Sequence, residues 1–256
     1  MILAVDIGNT KTAAGLMAGA EVRAHADVRT DPQAAPERIW ENLSAGLGET
    51  ESIGGAIVCS VVPAVTPHVK AAIRGGTGVE PLEFTSDTPI GITNRYEPPG
   101  DVGADRLANA YAAWKLHGLP AIIVDIGTAL TIDCLSRDAE YLGGVIAPGI
   151  GISLDALHDR TALLPRVKLE ATPRVLGTST VTSIQSGITH GHAQMIASLV
   201  SALRDELRFG PDAKVVITGG YTALLGPQLE PVSHLIDPEL TLKGLALIHL
   251  ALVGAK

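Results

Sequence analysis

The chain has 256 residues, 46% of them hydrophobic, which suffices for one large domain or for two small domains with buried cores. Its formal net charge of −8 argues against binding of a nucleic-acid backbone, and 3% aromatic residues are too few for a base-stacking platform. No apolar stretch reaches the ~20 residues of a membrane span, and no basic region opens the chain as in a signal peptide. We therefore expect neither nucleic acid nor a membrane as a partner, and we expect a cytoplasmic location.

The first half of the chain predicts alternating strands and helices. An apolar run ending at Val5 predicts a buried strand. The further predicted elements are a hairpin strand over 11–17, a helix over 36–47, a buried strand over 56–62, a helix over 65–73, a turn over 75–78, a rigid loop over 97–100 and a helix from 104 to about 117. Gly118 and Pro120 end the last helix, and we place a domain boundary there.

The second half opens with its own buried strand over 121–124. The elements predicted after it are a strand over 130–135, a glycine-rich crossing over 141–149, helices over 153–162 and 179–203, and a strand over 215–218. Each half of the chain has two β-strands followed by β-α units. This repeated order predicts an α/β fold with mixed sheets. The predicted domains are residues 1–118 and 119–256, closely packed around a cleft of the kind that binds small ligands.

One short pattern occurs twice, 119 residues apart: an apolar run, then Asp-Ile-Gly, then a small polar residue, at Asp6–Gly8 and Asp125–Gly127. Glycine permits a tight turn with close backbone approach to a ligand, and the N–H groups and polar side chains of such a turn can donate to phosphate oxygens. A carboxylate beside a phosphate requires a cation between them, so both aspartates are predicted as indirect metal ligands. One copy would be an ordinary strand-to-turn ending; two copies favour phosphate binding.

Gly103-Ala104-Asp105-Arg106 opens the helix predicted from residue 104. An aspartate in a first helical turn is often only a partner of the helix dipole. Arg106, however, is poorly placed for that dipole, and a loop rich in proline and glycine precedes it. An Asp–Arg pair suits a substrate with a hydroxyl, whose proton the carboxylate accepts, and a carboxylate, which the guanidinium binds.

Other motifs carry weaker signals. The glycines at 219–220 follow a strand and predict either a plain tight turn or a backbone surface for a nucleoside. Cys59 and Cys134 lie in apolar runs, which predicts buried free thiols. His190 and His192 have no third ligand nearby, so we expect hydrogen-bonded helix histidines and no metal site. No P-loop or dinucleotide-binding motif is present in the sequence.

With these motifs the chain resembles the acetate/sugar kinase and actin superfamily, and within it the type III pantothenate kinase family. The two Asp-Ile-Gly turns correspond to the phosphate-1 and phosphate-2 motifs, and Thr-Gly-Gly at 218–220 corresponds to the adenosine motif. The matching stretches run nearly end to end, at 6–10, 60–63, 103–106, 125–129, 143–149, 164–165, 180, 186–187 and 218–220. Gly-Ala-Asp-Arg followed by Asp-x-Gly-Thr is specific to this family.

The resemblance implies two related actin/ribonuclease-H-like domains with mixed sheets and an ATP cleft between them. It implies an enzyme that uses ATP to phosphorylate the primary hydroxyl of pantothenate to 4'-phosphopantothenate, the first step of coenzyme A biosynthesis. The implied cofactors are Mg²⁺ with ATP and a monovalent cation, K⁺ or NH₄⁺. The implied assembly is a homodimer paired through residues 179–203, whose apolar side chains include Ile184, Ile188, Met195, Ile196 and Leu199.

The resemblance also implies a role for individual residues. Asp105 would accept the hydroxyl proton, Asp6 would bind magnesium through water, and Asp125 would bind the monovalent cation. The residues that would contact ATP are Asp6, Ile7, Gly8, Asn9, Thr10, Lys11, Thr12, Ala13, Thr128, Gly219 and Gly220. The residues that would contact pantothenate are Tyr96, Gly103, Ala104, Asp105, Arg106 and Thr180. Because phosphoryl transfer has a loose transition state, an aspartate with an ordinary pKa of about 3.9 would suffice as a late proton acceptor.

Two positions depart from the family pattern, and two other functions stay open. Lys11 stands where polar or small residues are common, and Leu130 stands where threonine is common, which removes a hydroxyl near the second turn. A catalytically weak relative would act as a regulatory or transcription-accessory protein, although Asp6 and Asp105 are both present. A phosphate-ester hydrolase of the same superfamily would need an open water site and no Asp–Arg pair.

Overall fold

The computed structural model describes residues 1–48, 53–230, 232 and 234–254. The described chain divides into two compact units, each a mixed α/β structure. The first comprises Met1–His117, Ala139–Tyr141 and the segment from Glu239 onward, and the second comprises Gly118–Asp138 and Leu142–Pro238. The sequence-based division placed everything after residue 118 in the second domain, whereas the last helix packs with the first unit.

The elements of the first unit are β1 (Ile2–Ile7), β2 (Lys11–Ala18), β3 (Glu21–Arg29), α1 (Pro36–Leu47), β4 (Gly55–Ser60), α2 (Thr66–Thr77), β5 (Leu82–Glu83), β6 (Thr93–Asn94) and α3 (Ala104–His117). The following elements are β7 (Ala121–Ile126), β8 (Ala129–Leu135), β9 (Glu140–Pro148), α4 (Ile150–Asp159), α5 (Thr180–Glu206), β10 (Lys214–Thr218), α6 (Thr222–Leu225), β11 (Leu235–Ile236) and α7 (Leu240–Gly254). Among them α7 returns to the first unit.

The first unit contains a five-stranded sheet in the order β3-β2-β1-β4-β5. Its central strand β1 pairs antiparallel with β2 and parallel with β4. Because side chains alternate along a strand, those of β1 point to both faces of the sheet. On one face Leu3, Val5 and Ile7 pack in the core under α1 and α2. Helix α7 contacts β1, β2 and β4, and α3 packs on α7. A Cβ on Gly244 of α7 would stand 2.1 Å from the Ala108 carbonyl oxygen of α3, so the close packing of these helices requires glycine.

The second unit repeats this topology, with strand order β11-β10-β7-β8-β9. Strand β7 pairs antiparallel with β8 and parallel with β10, as β1 does with β2 and β4. The buried positions of β1 and β7 follow the same pattern along both strands. The prediction of two related halves with mixed sheets, made from the repeated Asp-Ile-Gly segment, is therefore confirmed.

Helix α5 covers the core of the second unit. Its side chains Ile184, Ile188 and Ile196 are buried against the strand residues Val124 and Ile132 among others. Met195 and Leu199 are partly buried against the same core. The apolar face of α5, on which the prediction of a paired surface was based, is thus largely used within its own unit.

Most predicted elements are present, with shifted ends. The helix over 36–47 is confirmed as α1, but the turn predicted over 75–78 was wrong, because α2 continues to Thr77 and only Gly78 has a left-handed backbone. The glycine-rich crossing over 141–149 is strand β9. Strand β3 and helix α7 were not predicted from the sequence. No helix within the described ranges is long and apolar enough to cross a membrane.

Candidate functional site

The turn between β1 and β2 is tightly fastened from both sides. Gly8 N donates to Lys11 O at 2.9 Å and closes the hairpin. The end of β3 reaches the same turn, where Thr30 Oγ1 donates to Gly8 O at 2.7 Å and Thr30 N donates to Thr10 O at 3.1 Å. Asn9 and Thr10 are exposed. The result is a rigid turn whose outer polar groups face solvent.

Lys11 contacts a carboxylate of the neighbouring strand. Its Nζ lies 2.8 Å from Asp27 Oδ2, and the other oxygen of Asp27 lies 2.8 Å from His25 Nε2. Burial acts to raise the pKa of Asp27, but the hydrogen bonds from Lys11 and His25 outweigh it and hold this pKa below its usual value. The Lys11 ammonium is therefore engaged on the sheet edge beside the turn.

Two carboxylates of the first unit lie close to one buried thiol. Asp6 on β1 is the register partner of Cys59 on β4, and Cys59 Sγ donates to Asp6 Oδ1 at 3.2 Å. The pKa of the Cys59 thiol is raised well above its usual value, first by burial and then by the negative charges of Asp6 and Asp105. Cys59 was predicted only as a buried thiol. Its alignment with Asp6 depends on the parallel pairing of β1 with β4.

Asp105 folds back over the start of α3. Its Oδ1 accepts a hydrogen bond from Arg106 N at 2.8 Å. A Cβ at position 103 would stand 2.4 Å from the same oxygen, so Gly103 leaves the room that this carboxylate occupies. Burial raises the pKa of Asp105, although the Arg106 backbone hydrogen bond and charge oppose the shift. The expectation of an ordinary pKa for this aspartate was therefore wrong, because the sequence could not report its desolvation.

The second unit builds a similar turn at the end of β7. Gly127 N donates to Ala129 O at 3.1 Å, and Thr128 is exposed at its tip. Leu130, which replaces a threonine in the family pattern, is buried in the core of this unit. Its side chain therefore points away from the solvent side of the turn, and the predicted loss of a phosphate contact at this position has no support in the geometry.

Two glycines of the second unit pack against this turn. A Cβ on Gly149, just before α4, would stand 2.3 Å from Thr128 O. Gly219 has a φ of +98°, and a Cβ there would stand 2.5 Å from Asp125 Oδ1. The ends of β7, β9 and β10 thus converge around Asp125, and position 219 needs glycine because its backbone contacts this strand end.

The other predicted site residues divide between the units. Tyr96, Gly103, Ala104 and Arg106 belong to the first unit, and Thr180 is the first residue of α5 in the second. Ser179 caps that helix by accepting a hydrogen bond from Thr182 N at 3.2 Å. Tyr141 was not predicted as a site residue. The centroid of its ring lies 6.3 Å from that of Tyr96.

The histidines and cysteines agree with their predicted structural roles. His190 Nε2 lies 3.0 Å from Thr172 O, and the two ring nitrogens of His192 lie near the carbonyl oxygens of Ile188 and Pro148. Both cysteines are buried and free. Within the part of the chain that the structure describes, no group of three or more His, Cys, Asp or Glu side chains is arranged to hold a metal ion.

Comparisons with known proteins identify the relatives of this chain. A family model described as type III pantothenate kinase matches residues 2–202. Type III pantothenate kinases from Moorella thermoacetica and Thermomicrobium roseum are each 40% identical to this chain; the alignments cover 97% and 96% of it and 98% and 95% of those proteins.

Solved structures show a similar fold at low identity. A Baf family protein from Campylobacter jejuni aligns with a TM-score of 0.62 and 19% identity over 99% of this chain and 100% of its own. A ROK family glucokinase from Streptomyces griseus aligns with a TM-score of 0.51 and 14% identity over 96% and 97% of the two chains. The structural neighbours support the two-domain actin-like fold, and the family model with the curated relatives shows that the chain belongs to the type III pantothenate kinase family.

Proposed function

We propose that this protein transfers the γ-phosphoryl group of ATP to the primary hydroxyl of pantothenate, giving 4'-phosphopantothenate in the first step of coenzyme A biosynthesis. The observation that carries the proposal is the Asp105–Arg106 pair at the start of α3, with Asp105 sharing the neighbourhood of Cys59 with Asp6. This pair offers a proton acceptor and a carboxylate-binding cation to one substrate. The family membership supports the same reaction.

The two hairpin turns are proposed to bind ATP. Residues 6–13 would contact its phosphates, and Thr128, Gly219 and Gly220 would be further nucleotide contacts. The rigid closure of both turns supports this role, because donors that are already fixed need no reorganisation when negative charge develops on the phosphoryl oxygens. Helix α4 begins beside the second turn without a side-chain cap, which leaves N–H groups and a positive dipole end there.

Asp6 is proposed to hold Mg²⁺ through water, and Asp125 a monovalent cation. Magnesium commonly keeps several waters and uses one or two carboxylates together with substrate phosphates, so a single aspartate at the end of β1 fits it. When bound, the ion neutralises charge on the ATP phosphates. Cys59 supports this assignment, because its thiol donates to one oxygen of Asp6 and so fixes the carboxylate.

Asp105 is proposed as the proton acceptor, and its neighbours as the pantothenate site. Tyr96, Gly103, Ala104, Arg106 and Thr180 complete the proposed set. Because the transition state is loose, proton transfer from the hydroxyl occurs late and requires only a well-placed base. The raised pKa of Asp105 makes it a better base than an exposed aspartate.

We also propose a homodimer, supported by side chains other than those of α5. Several large apolar residues of the second unit lie open to solvent in the described chain, among them Leu163, Leu176, Val175 and Ile146, with Leu163 at 92% and Leu176 at 79% exposure. Val175 and Leu176 lie just before Thr180 in the sequence, and we infer that these exposed side chains belong to a contact surface. The proposed location is the cytoplasm, where ATP is available. The regulatory alternative lacks a comparable observation.

Replacing Asp105 with Asn is expected to lower kcat by about 10²–10⁴-fold, because the general base is lost. Turnover is measured as ATP consumption with and without pantothenate; wild type should consume ATP only when pantothenate is present. The matched control is Asp101→Asn, an exposed aspartate just before α3, which should keep wild-type turnover. The unfolding temperature of Asp105→Asn should not fall, because an amide is easier to bury than a carboxylate. Turnover of Asp105→Asn within a few-fold of wild type would remove Asp105 from this role.

The pH profile of kcat/KM is expected to fall on the acid side with a midpoint above the ordinary aspartate pKa of about 3.9. Asp105 works only when deprotonated, and burial raises its pKa, so activity is lost at a higher pH than an exposed aspartate would give. ATP binding and circular dichroism, followed over the same pH range, separate this effect from titration of the nucleotide and from unfolding. An acid limb at or below the ordinary value contradicts the assignment.

Activity is expected to depend on the identity of the monovalent cation. One carboxylate, Asp125, faces a polyanionic nucleotide in this proposal, and a bound K⁺ or NH₄⁺ relieves the repulsion between them. Rates measured in K⁺, NH₄⁺ and Na⁺ at constant ionic strength and constant Mg²⁺ should differ widely, and Asp125→Asn should reduce the difference. Equal rates in all three salts refute a specific site.

The homodimer is tested by mass at assay concentration. Light scattering over a dilution series should give the dimer mass for wild type and a monomer for Leu163→Asp with Leu176→Asp, since two carboxylates cannot be buried unpaired in an interface. Pantothenate turnover should fall with the monomer fraction. The control is Leu250→Asp, an exposed leucine of α7, which should stay dimeric. A fully active wild-type monomer overturns the proposal.

A further inference from the structure

The guanidinium of Arg106 lies against two tyrosine rings in the first unit. Its Cζ is 5.6 Å from the ring centroid of Tyr96 and 5.8 Å from that of Tyr141, within the range of a cation–π contact. The two rings are inclined at 57° to one another, so one guanidinium can approach both. Arg106 is 7% exposed and Tyr141 is fully buried. This arginine is therefore held by aromatic rings in a largely dry environment.

A short strand pairing brings the two tyrosines together. Strand β6 pairs with the first residues of β9 in parallel, with Thr93 opposite Glu140 and Asn94 opposite Tyr141. Arg95 N donates to Tyr141 O at 2.9 Å, and Arg95 Nε donates to Glu140 Oε1 at 2.9 Å. Residues 139–141, which follow β8 and include the first residues of β9, belong to the first unit. Their pairing with β6 places the Tyr141 ring at Arg106.

Asn94 holds the backbone of Tyr96, which carries the other ring. Its Oδ1 accepts from Tyr96 N at 3.0 Å, and its Nδ2 donates to Pro99 O at 2.9 Å. The loop that leads towards α3 is thereby tied to β6, the strand that ends just before Tyr96. Both aromatic partners of Arg106 are thus set by backbone contacts of one short ladder, independently of any substrate.

Aromatic rings can orient a cation without adding an anionic partner to it. The ring faces attract the guanidinium through their quadrupole. A long side chain fixed in this way loses less conformational entropy when it binds an anion. A planar guanidinium with a fixed orientation also favours the geometry of a carboxylate over that of a neutral group.

We propose that Tyr141 is a positioning residue that holds the Arg106 guanidinium for the anionic end of the substrate, and so contributes to selection of a carboxylate over an alcohol. This inference rests on the proposed function, in which Arg106 binds the pantothenate carboxylate. It assigns to residue 141 a role that none of the motifs in the sequence indicated. Tyr141 acts through Arg106 and does not itself contact the reacting atoms.

The test compares Tyr141→Leu, Tyr141→Met and Tyr141→Phe with wild type on pantothenate and on pantothenol, which carries an alcohol in place of the carboxylate. The variants without a ring should raise the KM for pantothenate about three- to thirtyfold, the range between an exposed and a desolvated cation–π contact. Their kcat, their KM for ATP and their KM (or Ki) for pantothenol should stay within twofold of wild type. Tyr141→Phe keeps the ring face and should restore the wild-type KM for pantothenate.

The control is Tyr111→Leu. Tyr111 is another buried tyrosine of the first unit, whose ring packs on Trp114 at 5.9 Å between centroids. Its loss should lower the unfolding temperature without separating pantothenate from pantothenol. The positioning role is overturned if the Tyr141 variants raise the KM for pantothenate and the KM (or Ki) for pantothenol by the same factor. It is also overturned if Tyr141→Phe is as defective as Tyr141→Leu. Tyr141→Met serves if Tyr141→Leu does not fold, because its flexible side chain fills irregular space.

A second readout separates this inference from the proposed function. The Arg106 Nε–H signal in NMR should be displaced by the ring currents of both tyrosines in the free wild-type protein and should shift in Tyr141→Met but not in Tyr111→Leu. An unchanged signal overturns the positioning by Tyr141 even in an active kinase. A wild-type protein without pantothenate-dependent ATP consumption refutes the proposed function, while the NMR comparison still decides whether Tyr141 holds Arg106.

Discussion

The constraint on which the rest of the structure depends is the double burial of one strand in each unit. β1 and β7 are covered on both faces and paired on both edges, antiparallel on one side and parallel on the other. Such a strand has only its carboxyl end available for ligands, as in other open α/β sheets. Asp6 and Asp125 are each the penultimate residue of their strand and are less buried than the residues around them. The ligand contacts proposed for both turns depend on this arrangement.

The first unit gathers groups that oppose stability around that strand end. Asp6, Asp105 and a buried thiol share one neighbourhood, and burial raises the pKa of both Cys59 and Asp105. A folded-state pKa above the unfolded value means that the fold favours the protonated carboxyl of Asp105. Stability therefore falls as pH rises from the unfolded-state pKa through the folded-state pKa. A carboxylate kept at this cost is typical of functional sites. The N–H donated by Arg106 offsets part of the cost.

Two elements were not predicted from the sequence, for different reasons. Strand β3 does alternate apolar and polar residues from Val22 to Val28, but its apolar side chains are small, and at the sheet edge only Ala26 is fully buried. Helix α7 is apolar on nearly all sides because the sheet covers one side and α3 another, and such a helix shows no amphipathic period. Conversely, the apolar residues of α5 could be recognised from their helical spacing. This spacing does not distinguish packing against the sheet of the same unit from packing against a second chain.

The sequence by itself determined the features that depend on neighbours along the chain. Three features could be predicted: the buried strands followed by Asp-Ile-Gly, the glycine-led start of α3 and the presence of two similar halves. They could be predicted because apolar runs, tight turns and helix starts are local. The tertiary structure decided what depends on distant partners: the thiol of Cys59 on Asp6, the ring of Tyr141 on Arg106, and the burial that raises the pKa of Asp105. These contacts join residues from separate segments, and strand order and desolvation, which no local pattern encodes, bring them together.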